Sequence, residues 1–298
     1  MNEWREVTLG SISETISYGY TESASIEEVG PKFLRITDIA STRLKWNNVP
    51  YCPITDSNFE KYKLYPGDIV IARTGATTGA NYILKPSDPK NVVYASYLIR
   101  YQIDNDLAYP FYVGHILQSI TWKEFVKSIA GGSAQPGANA KELGSFEFLL
   151  PPLPEQKAIA EVLSSLDDKI DLLHRQNETL EQMAQTLFRQ WFVEEAEDDW
   201  EEIEFGEFLT PQKGKNLTRA KAIDGPYPVV AGGLEPMCTH NKSNTEEPVI
   251  TVSASGANAG FVRLYNQKVW SSDSSFIDKT ITPYVYFSYL FLKFNQEV

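Results

Sequence analysis

The chain has 298 residues, 42% of them apolar, with 27 basic against 39 acidic side chains and a net charge of −12. That length fits two domains and a connector; no apolar run is long enough for a membrane span, and the start Met-Asn-Glu-Trp-Arg lacks the apolar stretch of a signal peptide. Lone cysteines at Cys52 and Cys238 suit a reduced, cytoplasmic protein, and the acidic excess excludes a chain that holds nucleic acid by bulk charge, because that affinity scales with the phosphates neutralised.

The charge is uneven along the chain. Residues 1–150 carry 14 basic and 16 acidic side chains, net −2, whereas residues 151–195 and 196–298 are each net −5. Much of the acid lies on the middle segment and in Glu194-Glu195-Ala196-Glu197-Asp198-Asp199-Trp200-Glu201-Glu202, which reads as a linker. The near-neutral first segment can still present a basic face.

Short strands are predicted at Lys32-Phe33-Leu34-Arg35-Ile36 and Asp68-Ile69-Val70-Ile71-Ala72, each bounded by turn residues. Helical spacing follows over 110–127, with Phe111, Ile116, Ile120 and Phe125 as the apolar contacts. Another strand is predicted at Phe146-Glu147-Phe148-Leu149-Leu150. Pro154 then pre-sets a first helical turn, and Glu155 suits the positive end of the helix dipole.

From there a heptad repeat runs without interruption. Ile159, Leu166, Leu173, Leu180 and Leu187 recur every seven residues, interleaved with Leu163, Ile170, Asn177, Ala184 and Trp191. Alternating steps of four and three make the seam of a left-handed coiled coil, and the mid-seam Asn177 would set register and strand number. On a plain amphipathic helix packed against a globular domain, Asn177 would instead face solvent. A helix over 155–192 would rise roughly 57 Å, which suits a spacer. Beyond the linker, a strand is predicted at 247–252 and a helix at 282–294.

The flanks of this helix repeat one another. Trp4-Arg5-Glu6-Val7-Thr8-Leu9-Gly10 answers Trp200-Glu201-Glu202-Ile203-Glu204-Phe205-Gly206. Gly67-Asp68-Ile69-Val70-Ile71-Ala72-Arg73-Thr74-Gly75, with Gly79 beyond it, answers Pro248-Val249-Ile250-Thr251-Val252-Ser253-Ala254-Ser255-Gly256 with Gly260. Val93-Tyr94-Ala95-Ser96 answers Val269-Trp270-Ser271-Ser272, and Pro110-Phe111-Tyr112-Val113 answers Pro283-Tyr284-Val285-Tyr286. Five landmarks in one order indicate a duplication. The expected architecture is α+β: mixed α/β domains at 1–150 and 196–298, joined by a long coiled-coil-type spacer helix within 151–195. The second copy is expected to be C-terminally truncated, since it stops before any equivalent of Gly131-Gly132-Ser133-Ala134-Gln135-Pro136-Gly137 or of the helix.

No catalytic or metal pattern emerges. The sequence has no Walker A lysine loop, HExxH, CxxC or EF-hand pattern. His115, His174 and His240 lie in different segments, so no metal is expected. Leu150-Pro151-Pro152-Leu153 lacks the Asn or Asp of an adenine-methyltransferase tetrapeptide, and Glu155-Gln156-Lys157 opens a helix rather than completing a nuclease motif. The Gly-rich turns 73–79 and 253–260 could cradle phosphate through backbone N–H groups or could simply be tight turns after buried strands. Candidate DNA contacts are Tyr18, Tyr20, Lys32, Arg35, Lys61, Lys63, Arg73, Lys123 and Lys127 in the first copy. In the second they are Lys213, Lys215, Asn216, Arg219, Lys221, Asn241, Lys242 and Arg263. Arg and Asn can read base edges bidentately, while Lys mostly positions phosphates. Any one of them alone is equally ordinary solvated surface; the set carries the signal.

The string Leu149-Leu150-Pro151-Pro152-Leu153-Pro154-Glu155-Gln156-Lys157-Ala158-Ile159-Ala160-Glu161-Val162-Leu163 resembles the junction found in specificity subunits of type I restriction-modification systems. Gly132-Ser133-Ala134-Gln135 and the Trp-x-x-Val-x-Leu-Gly opening at 4–10 are similar too. The resemblance implies two target-recognition domains, each reading half of a split, asymmetric site in double-stranded DNA, with helical rods setting the gap between halves. It implies no catalysis and no cofactor in this chain. Methyltransferase subunits would dock on it and methylate adenine with S-adenosylmethionine, and restriction-translocase subunits would join them. The departure is the absence of a second rod. The exposed seam is therefore expected to pair with a second copy or with a missing C-terminal fragment. An alternative is a truncated, dimerising interaction protein that competes with or regulates a full-length specificity subunit.

Overall fold

A computed structural model describes residues 4–41, 43–130, 137–197, 199–201 and 203–296. Gly131 to Pro136, part of the resemblance above, lie outside the described residues, as do Asp198 and Glu202 of the linker. The chain divides into two compact units, Met1–Asp171 and Leu172–Val298. Both mix helix and strand, and the long helix contributes to each, so the fold is α+β. Among the described residues no helix is long and apolar enough to cross a membrane.

The first unit runs β1 (Arg5–Thr8), β2 (Ser13–Tyr18), β3 (Lys32–Leu34), α1 (Ile36–Ile39), α2 (Asp56–Tyr62), β4 (Ile69–Ala72), β5 (Asn81–Ile83), β6 (Val92–Tyr94) and β7 (Leu98–Ile103). It continues through α3 (Pro110–Ile116), α4 (Ile120–Ala130), α5 (Ala140–Gly144) and β8 (Glu147–Leu150) into α6 (Leu153–Arg189). The central antiparallel sheet has the order β2-β7-β4-β5, β3 pairs parallel with β6, and β1 pairs antiparallel with β8. All four residues of β4 are buried, as expected of a central strand covered on both faces. Ile69 and Ile71 join Ile99, Tyr101, Val113 and Trp122 on one face, and Val70 and Ala72 join Leu34, Tyr94 and Leu98 on the other. The alternation follows from the two-residue period of a strand.

Two predicted elements change on folding. The strand expected over 32–36 ends at Leu34, because Arg35 leaves it to cap α1: its backbone N–H and its guanidinium both donate to the Asp38 carboxylate, the nearest contact at 2.8 Å. The helix expected over 110–127 is two helices. Its periodicity holds on both sides of 117–119, but there Asn81 Nδ2 donates to the Leu117 carbonyl at 2.6 Å and the Ser119 hydroxyl accepts from Trp122 N–H, capping a new start.

The second unit contains α7 (Phe205–Phe208), β9 (Gln212–Lys213), β10 (Tyr227–Val230), β11 (Cys238–His240), β12 (Val249–Ser253), β13 (Val262–Tyr265), β14 (Trp270–Ser271), β15 (Ser274–Asp278) and α8 (Val285–Gln296). Its central sheet has the order β9-β15-β12-β13, matching β2-β7-β4-β5 strand for strand, and the parallel pair β10-β14 matches β3-β6. The duplication read from the landmarks is therefore a duplication of topology. One landmark moves by a residue. Leu34 pairs with Tyr94 while Val230 pairs with Ser271, so Tyr94 answers Ser271 rather than Trp270.

Helix α6 runs without a break over Leu153–Arg189 and ends in one π turn, Gln190–Glu194, close to the expected span. Within the first unit its Gln156 side chain is buried. That amide accepts from Tyr109 N–H at 2.7 Å and donates to the Pro151 carbonyl at 2.7 Å. Within the second unit its Phe188 is buried among Phe192, Phe287 and Phe294.

Candidate nucleic-acid interface

The Gly-rich turns leave the central strands in the same way in both units. Gly75 and Gly79 have φ of 81° and 86°, and Gly256 and Gly260 have 80° and 84°, a region that penalises any side chain. Gly79 N–H donates to the Ala72 carbonyl at 2.8 Å and Gly260 N–H to that of Ser253 at 2.9 Å. Thr78 N–H and Ala80 N–H are likewise engaged by Gly75 and Thr77, as Ala259 and Phe261 are by Gly256 and Asn258. These donors close the turns and are not available to cradle a phosphate, so the tight-turn reading holds for them. Another shared feature is close approach: a Cβ on Gly19 would lie 2.3 Å from the Ala95 carbonyl oxygen, and one on Gly214 2.5 Å from that of Ser271.

The turn of the first unit carries Arg73. Its Nε donates to the Ser96 carbonyl at 3.1 Å, and its guanidinium lies 5.2 Å from the Tyr18 ring and 5.8 Å from the Tyr97 ring. Both tyrosines are about half exposed. Tyr18 and Arg73 are thus brought together from the expected set, while Ser96 and Tyr97 were missed. Only β4–β7 pairing, Ala72 opposite Leu98, puts Tyr97 beside Arg73.

The other candidates have different surroundings. Lys32 donates to the Val49 carbonyl at 2.8 Å and lies 3.9 Å from the Tyr51 ring centroid, and Arg35 caps α1, so both have local structural work. Tyr20 packs on Tyr62. Lys61 and Lys63 lie over Tyr62 and over Phe59 and Tyr65 respectively. Lys123 and Lys127 are exposed on α4, whose Trp122 donates to the Gly79 carbonyl. In the second unit Lys213, Lys215 and Asn216 are exposed around Gly214, Lys221 on a short 3-10 turn, and Asn241 and Lys242 after β11. Arg219 donates to the Met237 carbonyl, and Arg263 is tied to Leu234 and Glu235 at 2.7 and 3.0 Å and lies over Tyr265.

The first unit also holds a largely buried charge pair. Arg100 donates to the Lys63 carbonyl at 2.9 Å and sits 3.8 Å from Asp68, which accepts from Tyr65 N–H and Gln102. Burial pushes the Asp68 carboxyl above its ordinary range, opposed by those hydrogen bonds and by Arg100. Where α3 meets α6, His115 Nε2 lies 3.1 Å from Ser164 Oγ and Nδ1 lies 3.8 Å from Asp167. Burial lowers its pKa, with Asp167 acting in the opposite sense. Among the described residues no group of three or more His, Cys, Asp or Glu could hold a metal.

The seam of α6 is a separate surface. Leu163, Leu166, Ile170, Leu173, Leu180, Leu187 and Trp191 are exposed, from 38% at Leu163 to 61% at Leu180, and Asn177 is exposed among them. Ile159 and Ala184 are partly covered.

Residues 1–182, well over half the chain, match the family model of the type I restriction modification DNA specificity domain. The chain belongs to that family. Members of this specificity-domain family are the non-catalytic recognition components of type I systems. The HindI specificity subunit of Haemophilus influenzae is 28% identical over 200 residues, covering 65% of this chain and 42% of the relative. The MjaIX specificity subunit of Methanocaldococcus jannaschii is 28% identical over 171 residues, covering 52% and 38%. The chain spans about half or less of the length of the curated relatives it matches. Its fold resembles that of the type I S subunit from M. genitalium, with a TM-score of 0.57 at 18% identity over 99% of this chain and 78% of that one.

Proposed function

We propose that this specificity-domain chain is the sequence-reading scaffold of a type I restriction-modification complex. Each unit reads one half of a bipartite site in double-stranded DNA, and α6 contributes to the spacing of the halves. The observation that carries this reading is the duplicated scaffold: two sheets of one strand order, each with its paired-glycine turn, on a chain of this family. A continuous helix of 37 residues supports the spacer role, as the geometry between half-site readers sets spacing in other DNA-binding proteins. The chemistry belongs to partners: methyltransferase subunits that use S-adenosylmethionine on adenine, and restriction-translocase subunits. Such work on genomic DNA places the chain in the cytoplasm. Co-expression with its methyltransferase subunit, followed by single-molecule sequencing of adenine methylation, should reveal one bipartite modified site. A stable complex that modifies no bipartite sequence overturns the reading.

The exposed seam favours a second reading, in which the chain pairs through α6 with a second copy or a C-terminal fragment and so competes with a full-length specificity subunit. Seam side chains this exposed would find cover in such pairing. Added to an intact complex, the chain would then lower methylation of that complex's site; methylation at a new site supports the first reading instead.

A further inference from the structure

The two units superpose in topology, so the places where they differ in side chain can be located one by one. Turn hydrogen bonds equate Ala72 with Ser253 and Gly75 with Gly256, which puts Arg73 opposite Ala254. Gly19 N–H donates to the Leu98 carbonyl and Gly214 N–H to that of Ser274. Tyr18 pairs with Ile99 as Lys213 pairs with Ser275, so Tyr18 answers Lys213, and Tyr97, just before Leu98, answers Asp273. One spot on a common frame therefore carries Tyr18, Arg73 and Tyr97 in the first unit and Lys213, Ala254 and Asp273 in the second. All three residues of the second set are exposed.

The first set holds its arginine in place. The Ser96 carbonyl holds Arg73 Nε, and two tyrosine rings flank the guanidinium within 6 Å of its centre. Among the described residues its two terminal nitrogens have no hydrogen-bond partner. An arginine pinned at Nε and flanked by aromatic rings has its rotamer freedom restricted before binding, and its remaining N–H fork matches the O6 and N7 acceptors of guanine in the major groove. The second set has no guanidinium fork, and the position of Arg73 is occupied by Ala254.

We propose that Arg73, positioned by Tyr18, Tyr97 and the Ser96 carbonyl, is a specificity-determining residue that reads a guanine in the half-site of the first unit. This rests on the DNA-recognition reading above. The test selects bound sequences from a randomised duplex library with the chain co-expressed with its methyltransferase subunit. Arg73→Ala should erase one guanine from one half of the selected motif, lowering preference for that base pair about 10- to 100-fold, and leave the other half intact. Arg73→Lys keeps the charge but loses the fork and the Nε bond to the Ser96 carbonyl, so it should weaken preference for the same guanine while retaining affinity for random duplex. Lys213→Ala should leave that guanine in place. Should Arg73→Ala not fold, by circular dichroism, Arg73→Lys carries the test. An unchanged motif in the variants overturns the proposal and leaves the recognition function standing; no motif from the unaltered complex overturns both.

Discussion

Within Met1–Asp171 the long helix adds a set of polar and ionic contacts to the core packing of Ile159 and Ala160, whereas within Leu172–Val298 aromatic rings dominate its contacts. In the first unit Gln156 ties two backbone groups, His115 meets Ser164 and Asp167, Lys85 lies 3.6 Å from Asp168, and Arg43 donates to Asp171 at 2.8 Å. In the second, Phe188 and Phe192 pack on Phe287, and Tyr289 donates to Glu181. Partly exposed ion pairs are weak and screened by salt, while buried rings are indifferent to salt and costly to remove. The same helix is thus docked by chemistries that respond to different perturbations.

The sharpest way to break this contrast is at Phe188. Phe188→Ala should cost the second unit about 3–5 kcal/mol, read by urea unfolding, with no dependence on salt; a loss that shrinks with added NaCl would show the packing is not what matters. Next is Gln156→Leu, which leaves the half-buried Tyr109 N–H and the buried Pro151 carbonyl without their partner. It should cost about 2–4 kcal/mol, and a neutral result would place water at those groups. Replacing Asp167, Asp168 and Asp171 together by Asn should cost about 1–2 kcal/mol at low ionic strength and nearly nothing in about 1 M NaCl; a salt-independent cost would reassign those residues to packing.

The smallest expected effect is that of pH. His115 has its pKa lowered in the fold, so below its unfolded value of 6.5 the unfolded chain binds more protons than the folded one. Stability from this group is complete above pH 6.5 and falls as pH drops through 6.5 toward the folded pKa. His115→Gln should flatten the unfolding midpoint of the first unit over that window. An equally steep profile in the variant would assign the pH dependence to other groups.

The duplication was legible because its landmarks are backbone requirements. Gly75, Gly79, Gly256 and Gly260 need positive φ, and central strands covered on both faces need runs such as Ile69-Val70-Ile71-Ala72. The long helix was legible because a heptad is read from spacing alone. The break at 117–119 was not, since a side chain from β5 and a local serine cap decide it over a periodicity that continues through both helices. Nor was the divergence of Lys32 and Arg35 from Arg73. All three read as candidate contacts; in the fold the Lys32 ammonium is taken up by a carbonyl and a ring and the Arg35 guanidinium by the Asp38 carboxylate, whereas Arg73 is hydrogen-bonded only at Nε among the described residues.

By itself the sequence determined the periodic and the strained parts of this protein: helix α6 with its seam, the buried central strands and the paired-glycine turns. These depend on residues within a few positions of one another, where helical and strand periods and the αL penalty operate. Only the tertiary structure decided which cations keep an open hydrogen-bonding face, because strand pairing brings Tyr18, Arg73 and Tyr97 together across more than 50 residues of chain in one case and more than 20 in the other. Spacing along a chain carries no record of such cross-strand register.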